Sequence, residues 1–185
     1  MLLVHTPWRR HGRRSELIAL VRTFVENVRD IKGVREIALI GSLCTTKEFP
    51  KDADVLVTIH NEAELGLLAR HSRRLQGQAQ SIGHGADVFL LSPSGTYLGR
   101  VCHWKECRPG IRMSCDALHC GERAFLHDDF RTVRLSPEVT TAPPLTLWPR
   151  LQVRGELPVD IIDLLVKPLI PSQDRPDPGI EPKIH

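Results

Sequence analysis

Residues 39–57 read LIGSLCTTKEFPKDADVLV, and two features of this stretch guide the interpretation of the chain. The first is the pair Gly41-Ser42 after an apolar run, where glycine lets backbone amides approach a phosphate because it has no Cβ. The second is a pair of acids, Asp52 and Asp54, at the start of the next apolar run. Residues i and i+2 of a strand point to the same side, about 7 Å apart. Together these features predict a phosphate cradle beside a divalent-cation site.

Apolar runs around this stretch predict three neighbouring strands. Val34–Ile40, Val55–Ile59 and Asp87–Leu91 are rich in aliphatic and β-branched residues. Asp87 therefore starts the third strand, as Asp54 precedes the second. Because short connections favour adjacent strands, we expect the three acids to converge at one edge of the sheet. Mg²⁺ takes one or two carboxylates together with substrate phosphates, so the acids predict a Mg²⁺ (or Mn²⁺) site.

Periodic apolar positions predict two helices around these strands. One begins with Ser15 as its N-cap and ends near Gly33. The other spans residues 62–80 and carries a basic cluster of Arg70, His71, Arg73 and Arg74. The order helix, strand, loop, strand, helix, strand over residues 15–92 predicts an α/β (α+β) fold, a small mixed sheet flanked by helices.

The order of these motifs resembles the nucleotidyltransferase superfamily, which has the polymerase-β-like fold. Its pattern is a hydrophobic residue with Gly-Ser or Gly-Gly, a spacer, an Asp-x-Asp pair and a later acid on a strand. Ile40-Gly41-Ser42, nine intervening residues, Asp52-Ala53-Asp54 and Asp87 match it in that order. The resemblance covers about residues 15–92. The chain departs from the family in its loop, where Cys44-Thr45-Thr46-Lys47 replaces the small residue and arginine of many relatives.

The resemblance implies a two-metal transfer of a nucleoside monophosphate from a nucleoside triphosphate to a hydroxyl of RNA, a protein or a small molecule. Asp52 and Asp54 would hold the metals that bridge the triphosphate. Asp87 would help bind the metal that activates the acceptor hydroxyl. Gly41 and Ser42 would hold the terminal phosphates.

Basic side chains near these motifs are candidates for phosphate contact. Lys47 and Lys51 flank the loop and join the nucleotide-binding set, the alternative for each being a lysine exposed to water. Residues 1–14 are expected to form a basic N-terminal arm, either stacking Trp8 on RNA bases or extending as a solvated tail. Cys44 is interpreted as a small buried residue of the loop rather than a reactive thiol.

Cysteines within residues 93–130 predict a second, loop-rich module. Its candidate ligands have the spacing C-x4-C-x7-C-x4-C and are Cys102, Cys107, Cys115 and Cys120, with His103 and His119 beside the outer pair. Four thiolates fit a structural Zn²⁺ site of the zinc-knuckle kind, and either histidine is a possible substitute ligand. The alternatives are reduced thiols packed in a core, or disulfides formed under oxidising conditions.

Composition and the C-terminal quarter narrow the classes of function. Of 185 residues, 41% are hydrophobic and 25% charged, and the net charge of +3 is too small to indicate nucleic-acid binding by itself. We expect a cytoplasmic protein, because no apolar run reaches the length of a membrane span. Residues 131–170 are expected to be a proline-rich extension packed on the core, with paired short strands at 132–135 and 151–153 and a helix from Pro158. Residues 171–185 are expected to be an extended or disordered tail.

Three functions are open on these grounds. The first is the nucleotidyltransferase described above. The second is a catalytically silent protein of the same fold that binds a protein partner or a second copy of itself, for instance in a toxin–antitoxin pair. The third is a zinc-stapled nucleic-acid-binding module. The intact acids favour the first over the second, and the modest net charge weighs against the third.

Overall fold

A computed structural model of the chain describes residues 8–105, 123–128 and 133–170. Seven strands lie within these ranges: β1 Val34–Ile40, β2 Asp52–Ile59, β3 Gly85–Leu91, β4 Tyr97–Val101, β5 Leu126–His127, β6 Leu145–Trp148 and β7 Gln152–Val153. They form a single sheet in the order β5-β4-β3-β2-β1-β6-β7. The β2–β3 pair is parallel and the other pairs are antiparallel, so the sheet is mixed.

Four helical segments accompany the sheet within the described ranges. They are α1 Trp8–Val28, α2 Leu65–Ser81, α3 Pro137–Thr141 and α4, which runs from Val159–Ile161 through a π-helical stretch Ile162–Val166 to Lys167–Leu169. The predicted α/β class, with a mixed sheet and flanking helices, is confirmed. None of these helices is long and apolar enough to cross a membrane.

Alternating side chains divide the sheet into two faces. The larger core joins α1, α2 and α4 to one face, and its members include Val21, Leu68, Leu165, Leu39, Val57 and Leu90. A smaller core on the other face contains Ala38, Ile40, Leu56, Phe89 and Leu91, with Tyr97, Val133, Leu135 and Val139 packed against it. Because side chains alternate along a strand, Asp52, Asp54 and Asp87 belong to the face of the smaller core.

The start of α1 differs from the sequence-based expectation. The helix begins at Trp8, seven residues before the predicted N-cap Ser15, so the prediction of a separate arm is wrong from Trp8 to Arg14. The reason is tertiary packing: Arg14 is buried, with only 9% of its surface exposed. No local sequence pattern indicates that this arginine is buried. Arginine is a good helix former, and the basic run therefore continues α1.

The C-terminal quarter contributes a strand that the sequence analysis missed. β6 pairs with β1 on one side and with β7 on the other. The predicted pairing of segments 132–135 and 151–153 is wrong, because residues 133–135 are not a strand and β7 pairs with β6 instead. The sequence gives little sign of β6, because its four residues fit between Pro144 and Pro149 and proline disfavours a strand paired on both sides.

Candidate active site

The three predicted acids lie on two adjacent strands. In the parallel register of β2 and β3, Asp54 is opposite Asp87 and Asp52 is opposite Gly85. The crossover through α2 brings the two strands side by side in the same direction. The structure thus brings the three carboxylates together on one face, at the end of the sheet where β2 and β3 begin.

Gly41 follows β1 and passes close to the Asp54 carboxylate. The last residue of β1, Ile40, is the antiparallel partner of Asp54, so the chain must turn beside that side chain. Gly41 has φ 73° and ψ −162°, and a Cβ built at this position would overlap Asp54 Oδ2. Only glycine fits both the backbone conformation and the space. The adjacent Ser42, half-buried, begins the 3₁₀ turn Ser42–Cys44.

A buried arginine braces the loop that follows this turn. The guanidinium of Arg14 donates to the backbone carbonyls of Leu43 at 3.1 Å, Thr45 at 3.1 Å and Lys47 at 2.9 Å. It also forms an ion pair with Asp160 of α4, with Nε 2.6 Å from Oδ2. Arg14 therefore fixes the path of the loop, and no local sequence pattern predicts this role.

The predicted lysines lie at the two ends of the loop, and both are exposed. The carbonyl of Lys47 accepts from Arg14, and the carbonyl of Lys51 accepts from the Gly85 amide at 3.0 Å. The same Lys51 carbonyl lies 3.2 Å from Nδ1 of His84. Their backbones are therefore part of the site's framework, and their side chains extend toward solvent beside it.

Burial and like-charge repulsion both act on Asp54. Burial first, and then the negative charges of Asp52 and Asp87, raise its pKa from 3.8 to about 6. A carboxylate in this environment favours either a proton or a cation as its partner. A cation bound beside Asp54 would offset the repulsion from Asp52 and Asp87.

Asp87 has a different environment, because two basic groups contact it. His103 Nε2 lies 3.3 Å from Asp87 Oδ1, and Arg100 Nη1 lies 3.1 Å from the same oxygen. The His103 hydrogen bond is the main cause that lowers the pKa of Asp87, and the charge of Arg100 acts in the same direction against burial. Sequence reasoning missed both contacts, since β4, which carries Arg100, was not predicted.

The carboxylates of the site supply only part of the ligand shell of a divalent cation. Within the described ranges, no group of three or more His, Cys, Asp or Glu side chains is arranged to hold a metal ion. Asp52 and Asp54 supply two carboxylates, whereas Asp87 is engaged by Arg100 and His103. Because Mg²⁺ takes one or two carboxylates and completes its shell with phosphates and water, this set fits Mg²⁺ with a bound triphosphate.

Most of the predicted zinc site lies outside the described residues, namely Cys107, Cys115, Cys120 and His119. Of the described candidates, Cys102 is buried, and its amide donates to the Phe125 carbonyl at 2.8 Å. His103, the substitute ligand, contacts Asp87 instead. The four-cysteine zinc site therefore stays a prediction.

Cys44 is buried beneath the loop, as expected of a small packing residue. Its thiol donates to the Leu39 carbonyl at 3.1 Å. Burial, with a smaller opposing effect of Arg14, raises the pKa of the thiol to about 12. A thiol that is protonated and buried is a poor nucleophile.

Comparison with known proteins places the chain in a family but gives it no named relative. No curated protein and no solved structure matches it. A family model described as a family of unknown function (DUF6932) matches residues 2–108, a range that includes the three acids, Gly41 and Arg14. Because this range is more than half of the 185 residues, the chain belongs to the DUF6932 family.

Proposed function

We propose that the protein is a nucleotidyltransferase that moves a nucleoside monophosphate from a nucleoside triphosphate to a hydroxyl acceptor, with Mg²⁺ (or Mn²⁺) as cofactor. One observation carries this proposal: Asp54 and Asp87 are register partners on one sheet face, and Gly41 packs against the Asp54 carboxylate. The arrangement agrees with the resemblance to the nucleotidyltransferase superfamily, in which a Gly-Ser turn and strand-borne acids share one site.

The residues divide between phosphate binding and charge. Gly41 and Ser42 present a turn whose backbone approaches a phosphate without a blocking side chain. Asp52 and Asp54 would hold the divalent cation, which supplies charge neutralisation for the triphosphate and for the leaving pyrophosphate. Lys47 and Lys51, exposed on the flanks of the loop, are within the same region and add positive charge for the triphosphate.

The reaction exchanges one phosphorus–oxygen bond for another. The acceptor oxygen attacks the α-phosphorus, and a new oxygen–phosphorus bond forms. The bond from the α-phosphorus to the oxygen that bridges to the β-phosphate breaks, and pyrophosphate leaves with the electron pair. The acceptor proton passes to water. Catalysis of this exchange requires positioning and charge stabilisation rather than a covalent enzyme intermediate.

A second candidate, a catalytically silent binding subunit of the same fold, is favoured by one observation. Arg100 and His103 already contact Asp87, with the arginine 3.1 Å from Oδ1. A carboxylate neutralised by the protein is a weaker cation ligand than one that faces only other acids. In this alternative, the site would bind a nucleotide or a partner without transferring a group.

Label transfer distinguishes the two candidates. The purified chain is incubated with each α-labelled nucleoside triphosphate, Mg²⁺, and RNA or a cell lysate as acceptor. We expect Asp52→Asn/Asp54→Asn to reduce transfer at least about a hundredfold, because it removes the cation-binding charge. The matched control is Asp30→Asn/Asp163→Asn, which removes two exposed acids elsewhere and is expected to retain transfer. No transfer with any triphosphate, or equal loss in both double variants, would refute the proposal.

A further inference from the structure

The outward side of α2 carries a positive charge that the proposed reaction does not use. Arg70 and Arg74 are exposed one helical turn apart, and Arg73 lies on the same side of the helix. The helix contains no acidic residue that would neutralise them. After burial of the ring, the charges of Arg70 and Arg74 are the causes that lower the pKa of His71. The helix thus presents a concentrated positive field to solvent.

Arg73 connects this helix, which packs on the sheet face opposite the three acids, to the segment that follows β4. Its Nη1 donates to the backbone carbonyl of Trp104 at 2.9 Å, and its guanidinium lies over the Phe125 ring, 5.7 Å from the ring centroid. Trp104 has 46% of its surface exposed, and the next residue, Lys105, is exposed as well. The residue before Trp104 is His103, whose Nε2 lies 3.3 Å from Asp87 Oδ1. The exposed indole of Trp104 is therefore next in sequence to His103, which contacts Asp87, and to the exposed Lys105. Its backbone carbonyl is bound by Arg73 of the basic helix.

We infer that this surface, formed by Arg70, Arg73, Arg74, Trp104 and Lys105 and called here the α2–Trp104 surface, binds a single-stranded polynucleotide. The end of the strand passes residues 103–104, which contact both Arg73 of α2 and Asp87 on the opposite face, and so brings its terminal hydroxyl to the acidic site. The inference deepens the proposed function and rests on it, because it names the class of acceptor. Phosphates of the strand pair with the exposed Arg70 and Arg74, Arg73 holds the Trp104 backbone, and one base stacks on the indole.

The chemistry of the surface favours a polynucleotide over an acidic protein. An acidic protein segment would form ion pairs with the arginines, but its acidic side chains contain no planar ring to stack on the exposed indole. A single strand provides both charges and unstacked bases, whereas a duplex keeps its bases stacked on one another. The terminal hydroxyl oxygen bonds to the α-phosphorus, pyrophosphate departs, the proton passes to water, and the strand becomes one nucleotide longer.

Binding is measured by fluorescence anisotropy on the full chain, without triphosphate or divalent cation. The probes are end-labelled RNA and DNA strands of one mixed sequence, about 12 nucleotides long. We expect Arg70→Gln/Arg74→Gln to weaken binding at least tenfold at low salt. It should also reduce the slope of log K against log salt by about 1.4, since each phosphate contact of a single strand contributes about 0.7. Trp104→Ala should weaken binding about fivefold or more, and Trp104→Phe should retain it.

The matched control changes the same charge at the other edge of the sheet. Arg150 and Arg154 are exposed beside β7, and Arg150→Gln/Arg154→Gln should leave the affinity within twofold. The inference would be overturned if neither the RNA nor the DNA strand binds, or if the two arginine double variants lose affinity equally. It would also be overturned if polyglutamate competes as well as an unlabelled strand. Binding of either strand supports it, and a preference for one identifies the sugar that is recognised.

Failure of the inference and failure of the proposed function give different results. If the protein binds the strand through this surface but extends no strand with any triphosphate, the binding surface is supported and the proposed transferase activity is refuted. A chain that labels another acceptor but binds no strand retains the transferase and refutes the surface. In Asp52→Asn/Asp54→Asn, strand binding should persist while extension is lost.

Discussion

Arg14 and Asp160 join the first helix to the last across 146 positions of sequence, with the arginine Nε 2.6 Å from the carboxylate Oδ2. The same guanidinium also reaches three backbone carbonyls of the Gly41–Lys47 loop. One side chain thus determines both how α4 meets α1 and where the candidate phosphate-binding loop runs. This dual role suggests that mutation of Arg14 affects stability and site geometry together.

We expect Arg14→Ala to lower the free energy of unfolding by about 2–4 kcal/mol, because it leaves Asp160 and three carbonyls without their shared donor. Arg14→Lys should recover less than half of that loss, since a single ammonium group cannot reproduce the planar fork. Urea denaturation measures both values. Arg150→Ala, an exposed arginine, is the control. Equal stability of Arg14→Ala and wild type would contradict the bracing role.

Hydrogen exchange gives a second measurement on the same variants. In Arg14→Ala, amides of residues 42–47 should exchange faster than in wild type, beyond any change in β1. Asp160→Asn keeps the bonds from Arg14 to the loop carbonyls and should leave loop protection closer to wild type. A uniform change across the chain would mean that Arg14 contributes only to global stability.

Gly41→Ala should destabilise the protein and impair the site. The backbone at φ 73° costs a non-glycine residue about 1–2 kcal/mol, and the new methyl group would displace the Asp54 carboxylate. Thermal melting and nucleotide binding measure the two effects. Gly77→Ala is the matched control, since a Cβ at this helical position meets nothing within 4 Å. It should stabilise α2 by about 0.5–1 kcal/mol, through helix propensity alone.

The acidic site should destabilise the metal-free protein above neutral pH. The folded-state pKa of Asp54 is raised to about 6 from 3.8, so its contribution to stability is complete below about pH 3.8 and is lost as pH rises through 6. Asp54→Asn should therefore raise stability at pH 8 by about 1–2 kcal/mol, after allowance for solvent screening. Near pH 4 the gain should vanish.

Mg²⁺ provides the complementary measurement. It should raise the melting temperature of the wild type at pH 8 and have little effect on Asp54→Asn, since binding to the folded state stabilises it. Asp30→Asn, at an exposed acid, should behave as wild type. Equal Mg²⁺ stabilisation of wild type and Asp54→Asn would argue against a cation site at this carboxylate.

Cys44 should resist alkylation in the folded protein. With a pKa of about 12, the fraction of thiolate at pH 8 is about one in ten thousand, and burial adds a steric barrier. Peptide mass mapping after brief iodoacetamide treatment should find Cys44 unmodified in native protein and modified in urea. Rapid native labelling would show that the loop opens far more readily than its hydrogen bonds indicate.

The sequence revealed β1 and the acidic trio because their signals are local. Val34–Ile40 was predicted with its observed bounds, as an apolar run between Gly33 and Gly41. The strand–helix–strand order, which permits few alternatives, predicted that the strands carrying Asp54 and Asp87 are neighbours, and the structure adds that the two residues are register partners. Local hydrophobic pattern and short connections were sufficient for this part of the fold.

Long-range contacts were beyond the sequence. Three partners of Arg14 are backbone carbonyls, which every residue type carries, so the sequence does not mark them. Its carboxylate partner is 146 positions away in the chain. The contact of Arg100 with Asp87 depends on β4, whose five residues include the interior Gly99 and lack a clear alternation. Side chains that act through backbone groups or through short strands leave little pattern to detect.

The family-matched range 2–108 depends on later residues for two of its contacts. Residues beyond it supply β6, which hydrogen-bonds to the outer edge of β1, and Asp160, the counter-ion of Arg14. A fragment ending at 108 would expose one edge of β1 and bury a guanidinium without its anion. The segment after residue 108 is therefore more than an appendage of the family-matched range, because it closes the outer edge of β1 and supplies the anion that balances the cation beneath the loop.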